Sequence, residues 1–172
     1  LEDIRKSAPH WDPEAKMIAH ILLTRWAIDD PDAALASLEG IDLGKHGADP
    51  ISVLSGVASI DPNIATAWLD NPENKMVKLP FMGQILAGSI AKEWVRRDQD
   101  AALKWAEGLP DSQKAGAFTG VLGSLASTDP RKAASLASNL APGGSREHII
   151  GEIAQSWAQD SPKEALDFMP DY

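Results

Sequence analysis

The stretch Leu122-Gly123-Ser124-Leu125-Ala126-Ser127-Thr128-Asp129-Pro130-Arg131-Lys132-Ala133 carries the instructions that organise the whole chain. Asp129-Pro130 starts a helix. An Asp side chain accepts hydrogen bonds from the free backbone N–H groups of a first turn and suits the positive end of the helix dipole. Proline in the next position loses nothing, because its missing N–H would have had no partner there. Upstream, Leu122, Leu125 and Ala126 have the spacing of one face of an α-helix, and Ala133 opens the apolar face of the next one. The local reading is helix, Asp-Pro step, helix.

The same pattern recurs along the chain. With the second residue of each step as anchor, the copies start at Pro31, Pro62, Gln99, Pro130 and Pro162, at separations of 31, 37, 31 and 32 residues. Three residues after each anchor stands Ala: Ala34, Ala65, Ala102, Ala133 and Ala165. Five residues before stand Trp26, Val57, Trp94, Leu125 and Trp157, followed by Ala27, Ala58, Val95, Ala126 and Ala158. Nine before stand Leu22, Val53, Ile90, Val121 and Ile153, followed by Leu23, Leu54, Ala91, Leu122 and Ala154. A period in the thirties held over five copies is the mark of a repeat array rather than of one irregular core.

Within each copy the apolar offsets −9, −8, −5 and −4 form the stripe of an amphipathic helix, and +3, +6 and +7 form another. First helices are expected near 14–28, 50–59, 80–96, 112–126 and 146–158, and second helices near 31–39, 62–70, 99–108, 130–139 and 162–169. Residues 1–8 read as the end of an earlier second helix. Helix stops are marked by Gly40, Gly108-Leu109-Pro110 and Pro142-Gly143-Gly144. Ser161 with Glu164 three residues on forms the pattern of a capping box. The spacing of 37 reflects a polar loop over 70–79, and 42–47 is a second long loop. No segment alternates with period two long enough to predict a sheet. The expected fold is all-α, a right-handed α-α superhelix (solenoid) of about five helix pairs. It forms one domain over 1–172. Leu1 follows no basic and apolar leader, so the chain reads as either a mature product or an excised fragment, and a piece of a longer chain is expected.

Composition agrees. Of 172 residues, 44% are apolar and 24% charged, which excludes wholesale disorder. There is no Cys, which excludes a disulfide scaffold, thiolate zinc sites and a cysteine nucleophile. No apolar run approaches the roughly 20 residues that span a bilayer, so membrane insertion is not expected. The net charge of −9 and the scattered Lys and Arg speak against nucleic-acid binding. Six Asp residues (Asp12, Asp30, Asp49, Asp61, Asp98 and Asp129) stand at expected helix starts, so most of the net negative charge has a capping role.

Catalytic constellations do not assemble in the sequence. His10, His20, His46 and His148 lack metal-ligand spacing with one another; His148 and Glu152 fit one helix turn as a surface pair. Glu147 and Glu152, five apart, point to different helix faces, unlike a paired-carboxylate site. Gly143-Gly144 reads as a turn rather than a phosphate loop, and no serine sits in a nucleophile elbow. Gly116, Gly120 and Gly123 share one helix and predict close helix packing. Trp26, Trp94 and Trp157 occupy a position that also takes Val57 and Leu125, so it is used for apolar volume. Trp11 stands outside the repeat and is expected to be buried against the first helix. No catalytic residue, metal or cofactor is expected.

Helix pairs of this length, with a large aromatic on the first helix and an Ala on the second, resemble the tetratricopeptide-type α-solenoids. The likeness covers nearly the whole chain. The copies lack that family's full Trp-Leu-Gly-Tyr pattern and place Asp-Pro in the turn inside the pair. The resemblance implies a superhelix and a scaffold role. The expected function is a non-enzymatic scaffold for protein or peptide partners. The alternative is the helical portion of a larger, carbohydrate-active enzyme whose catalytic part lies elsewhere. A partner surface is expected on the polar stripe of the first helices, at offsets −10, −7, −6 and −3. That stripe carries Thr24 and Arg25; Ser52, Ser55 and Ser59; Lys92, Glu93 and Arg96; Ser124 and Ser127; and Gln155, Ser156 and Gln159. Of these, Arg25, Lys92, Glu93, Arg96, Gln155 and Gln159 are the candidate contact residues, suited to a ligand with a carboxylate.

Overall fold

Each anchor of the sequence pattern is the first residue of a helix in the structure, a computed structural model that describes residues 13–38, 49–79, 81–138, 140 and 144–168. Among the described residues the chain is all-helical, with ten helices and no strand. The first members of the pairs are α1 (Pro13–Asp29), α3 (Pro50–Ile60), α5 (Met82–Trp94), α7 (Asp111–Ala126) and α9 (Gly144–Asp160). The second members are α2 (Pro31–Ala36), α4 (Pro62–Leu69), α6 (Gln99–Gly108), α8 (Pro130–Ser138) and α10 (Pro162–Phe168). Asp12, Trp11, His10 and His46, the expected helical remnant over 1–8, the stop at Gly40, the loop over 42–47 and Pro142-Gly143 lie outside the described residues.

The Asp steps work as the sequence predicts. Asp30, Asp49, Asp61, Asp98 and Asp129 accept backbone N–H bonds from Ala33, Ile51, Asn63, Ala101 and Lys132 at 2.9–3.1 Å. The expected capping box does not form. Glu164 is drawn away to an ion pair with Arg131 at 3.0 Å, and the Ser161 N–H closes the end of α9 by donating to the Trp157 carbonyl. α5 begins at Met82 rather than at 80, because Phe81 takes a left-handed backbone (φ 64°) that a helix cannot continue. The 70–79 loop is more than solvated chain: Met76 is buried in it, and Asn74 holds it to the Trp68 carbonyl at 3.2 Å.

The packing order follows chain order. α1 packs on α3, α3 on α5, α5 on α7 and α7 on α9, while each of α2, α4, α6 and α8 packs on the first helices before and after it. The core is built from recurring positions. Nine before the anchor, Val53, Ile90, Val121 and Ile153 are buried; three after it, Ala34, Ala65, Ala102, Ala133 and Ala165 are buried. Ala at this second place lets the second helix lie close against its neighbours, since no larger side chain holds the backbones apart.

The α5–α7 contact is the most extensive, and glycine explains it. A Cβ on Gly88 would meet the Gly116 carbonyl oxygen at 2.8 Å, and Cβ atoms on Gly116 and Gly120 would run into the carbonyls of Gln84 and Gly88. Gly123, expected in the same seam, faces open space: the helix turns it away from α5. In the first contact, Gly56 does similar work, its Cβ position lying 2.6 Å from the Thr24 carbonyl oxygen.

The repeated aromatic position divides. Val57, Leu125 and Trp157 are buried and Trp94 is half-buried, stacked at 5.6 Å and 40° on Trp105 of its own pair. Trp26, expected in the core like its counterparts, is 38% exposed, because no earlier first helix among the described residues lies across it.

Candidate interaction surface

Five of the six candidate contact residues fall on three alternate first helices, and Arg96 lies just past the end of α5. Arg25 on α1 is exposed and pairs with Asp29 one turn on, at 2.9 Å. On α5, Lys92 is exposed, and Arg96, two residues past the end of that helix, binds Glu93 at 3.0 Å, with the Glu93 carboxylate largely covered and the guanidinium open to solvent. On α9, Gln155 and Gln159 are exposed. Among the described residues, Lys92, Gln155 and Gln159 make no side-chain hydrogen bond or ion pair. α5 thus presents one free ammonium and one guanidinium whose charge is shared with a single carboxylate.

Other members of the stripe are spent inside the protein. Ser52 is fully buried at the α1–α3 junction, not solvent-facing as the stripe requires. Its hydroxyl donates to the Asp49 carboxylate, and its oxygen lies 2.6 Å from His20 Nδ1. Ser52 thus stands between the other two, bonded to both Asp49 and His20, whereas in nucleophilic catalysis the histidine stands between the serine and the carboxylate. Their effect is positional: they tie α1 to the start of α3. Thr24 adds a bond to the Ser52 carbonyl at 3.3 Å. Ser59 and Ser127 turn back onto the carbonyls of Gly56 and Ser124 in their own helices. Ser55, Ser124 and Ser156 are half-buried.

Two arginines that the periodicity does not single out join neighbouring pairs. Arg97, just after α5, donates to the Ser59 carbonyl at 2.8 Å and to the Ile60 carbonyl, capping the end of α3. Arg131 on α8 lies 5.9 Å over the Trp157 ring while binding Glu164, so one side chain links α8, α9 and α10. Both lie beside an Asp step, but at different offsets from their anchors, and a search for repeated positions passes over them.

His148 Nε2 lies 3.4 Å from Glu152 on one turn of α9, an exposed pair. Among the described residues no group of three or more His, Asp or Glu is placed to hold a metal ion. No described helix is long and apolar enough to cross a membrane.

A second exposed surface is apolar. Met17, Ile18, Ile21 and Leu22, with Trp26, lie on α1 at i, i+1, i+4, i+5 and i+9, which is one helix face, and all are open to solvent. A contiguous run of large apolar side chains on a surface marks an interaction site more often than scattered single ones do. No protein-family model, curated protein or solved structure proves similar to this chain.

Proposed function

We infer that the chain is a helical-repeat scaffold, a solenoid of helix pairs that binds a protein or peptide segment and carries out no chemistry of its own. The observation that supports this reading most is the sequential packing of the first helices, α1 through α9, with the same repeat offsets buried at each step. One pair cannot cover its own apolar face, and stacking in chain order does so while leaving an extended surface. A right-handed superhelix is the form expected of such a stack.

The surface for a partner is the exposed part of the polar stripe, centred on α5. Lys92 and Arg96 would receive a carboxylate, and Gln155 and Gln159 would hydrogen-bond a peptide backbone. The experiment is an array of short peptides with free C-terminal carboxylates or internal acidic residues, probed with the 172-residue chain. Fluorescence anisotropy of the best binders then follows with Lys92→Glu and Arg96→Glu together. Binding that falls at least about tenfold, a loss of 1.4 kcal/mol, and weakens with salt supports the reading. Binding that ignores both substitutions, or no bound peptide at all, overturns it.

A further inference from the structure

α5 runs through the middle of the stack, with α3 and α7 on its two sides and α4 and α6 packed against it. One of its faces is nevertheless open to solvent. Phe81 at its head is 77% exposed, and Ile85, one turn on, and Leu79, just before, are exposed as well. Lys92 stands two turns past Ile85 on the same face, and Arg96 follows one turn later, just past the end of the helix; both are exposed. Only small groups stand between the apolar and the cationic ends. Ser89 is half-buried, and its hydroxyl turns back onto the Leu86 carbonyl at 2.8 Å. In the seam with α7, Gly120 lies against Gly88, which sets Gly123 and Ser124 beside Lys92 one turn on, with open space around Gly123.

Two features of this face point to a ligand. Phe81 holds a left-handed backbone (φ 64°), a region that a bulky residue rarely occupies, and the ring held there faces solvent instead of adding to the core. Lys92 is an ammonium with no carboxylate to meet. Neither flanking first helix supplies one: α3 has no charged residue, and α7 has Asp111 and Lys114 at its start and no other. Glu93, its neighbour in the chain, is held by Arg96. In a chain of net charge −9 this is a cationic spot left without an internal counter-charge, and an anion from outside complements it.

We propose that this face of α5 binds the carboxyl-terminal end of a partner peptide, with the terminal carboxylate on Lys92 and Arg96 and an apolar side chain three residues earlier seated on Phe81 and Ile85. The spacing sets the number. Seven residues of helix separate Ile85 from Lys92, about 10.5 Å at a rise of 1.5 Å each. An extended chain covers about 3.3–3.6 Å per residue, so three residues bridge that distance. The end of the partner chain fits better than an acidic side chain within it. A backbone running on past Arg96 meets the exposed carboxylates of Asp98 and Asp100, whereas one that stops there meets the two cations. This proposal rests on the carboxylate-binding reading above and adds a second anchor, its chemistry and its distance.

An NMR titration of the isotope-labelled 172-residue chain tests this, with N-acetylated eight-residue Gly-Ser peptides that carry one Leu. In the first series the Leu moves from one to five residues before a free carboxyl end. A second series is amidated, and a third is amidated with one internal Glu three residues after the Leu. The tightest binding is expected with Leu three residues before the free end, at least about tenfold over the peptide without Leu, or 1.4 kcal/mol. Amidation removes the binding, as does Lys92→Glu, and Phe81→Gly with Ile85→Ser removes the preference for Leu. Glycine adopts the left-handed backbone freely and Ile85 is exposed, so that variant keeps the fold, checked by circular dichroism. The position scan is read on the wild type alone and decides the matter even where a variant is unstable. Free-carboxylate peptides that bind equally with and without Leu overturn the second anchor and leave the carboxylate site standing, as does a Leu preference that survives Phe81→Gly with Ile85→Ser. Equal binding of the internal-Glu series overturns the choice of a chain end. A Leu preference indifferent to amidation and to Lys92→Glu, or no binding at all, overturns both readings.

Discussion

Ile90 and Leu22 occupy the same place in the repeat, and one is fully buried while the other is among the most exposed large side chains on the molecule. The contrast extends along both helices. α5 is enclosed between α3 and α7, with glycines letting it lie against the latter, whereas among the described residues the one first helix packed on α1 is α3. The side-chain chemistry differs little between the two places; the neighbour differs. A repeat offset is therefore a capacity for burial, and the helix that arrives or fails to arrive decides whether it is used. The hydrophobic gain, about 25 cal/mol per Å² of apolar surface removed from water, is realised at α5 and unrealised at α1.

The largest effect expected from that contrast lies at the tryptophans. Trp157→Ala should cost about 3–5 kcal/mol in urea unfolding, the range for a large buried aromatic, and it also removes the ring under Arg131. Trp157→Leu should cost much less, because Leu125 already fills the equivalent place. Trp26→Ala should cost less, about 1–2 kcal/mol, because 38% of its surface is already open to solvent and only the covered part is lost. Equal losses at Trp157 and Trp26 would erase the distinction between the enclosed and the open position.

A smaller difference is expected within α7. Gly120→Ala places a methyl against the Gly88 carbonyl and should destabilise by about 1–3 kcal/mol through overpacking. Gly123→Ala, on the same helix with open space around it, should stabilise by about 0.4–1 kcal/mol by restricting the unfolded chain and favouring helix. Opposite signs for two Gly→Ala changes three residues apart, read as shifts of the thermal midpoint, would sharpen the picture of a seam one glycine-width across. Matching signs would break it.

The smallest effect concerns the steps themselves, where places at the same offset should behave alike. Asp61→Ala and Asp129→Ala should each cost about 0.5–2 kcal/mol, the usual loss of an N-cap. The two values should be close, since a cap acts on its own first turn. A large gap between them in parallel thermal melts would mean that the cap depends on its place in the stack.

Helix positions were legible because their causes are local. An Asp side chain reaching N–H groups two or three residues on, a proline that fits a first turn and apolar residues every three or four positions all act within one stretch of chain. Hence Pro31, Pro62, Gln99, Pro130 and Pro162 each open a helix where the pattern places them. Of the expected polar stripe, the exposed charges and amides on α1, α5 and α9 stand in solvent, but Ser52 does not. It is buried where α1 packs on α3 and is bonded to His20, thirty-two residues earlier, and no periodicity of 3.6 carries that information.

By itself the sequence determined that this chain is helical, where its helices begin, and which offsets can be buried. Only the tertiary structure decided which of those offsets are covered. It put Gly120 against a backbone and left Gly123 in the open, drew Glu164 away from its cap to Arg131, and enclosed Trp157 while exposing Trp26. The reason is one of range. Capping and helical periodicity are interactions between residues a few places apart, which the order of residues states directly. Burial is an interaction with whatever surface arrives from another part of the chain, and two residues at the same offset from their anchors can meet different neighbours.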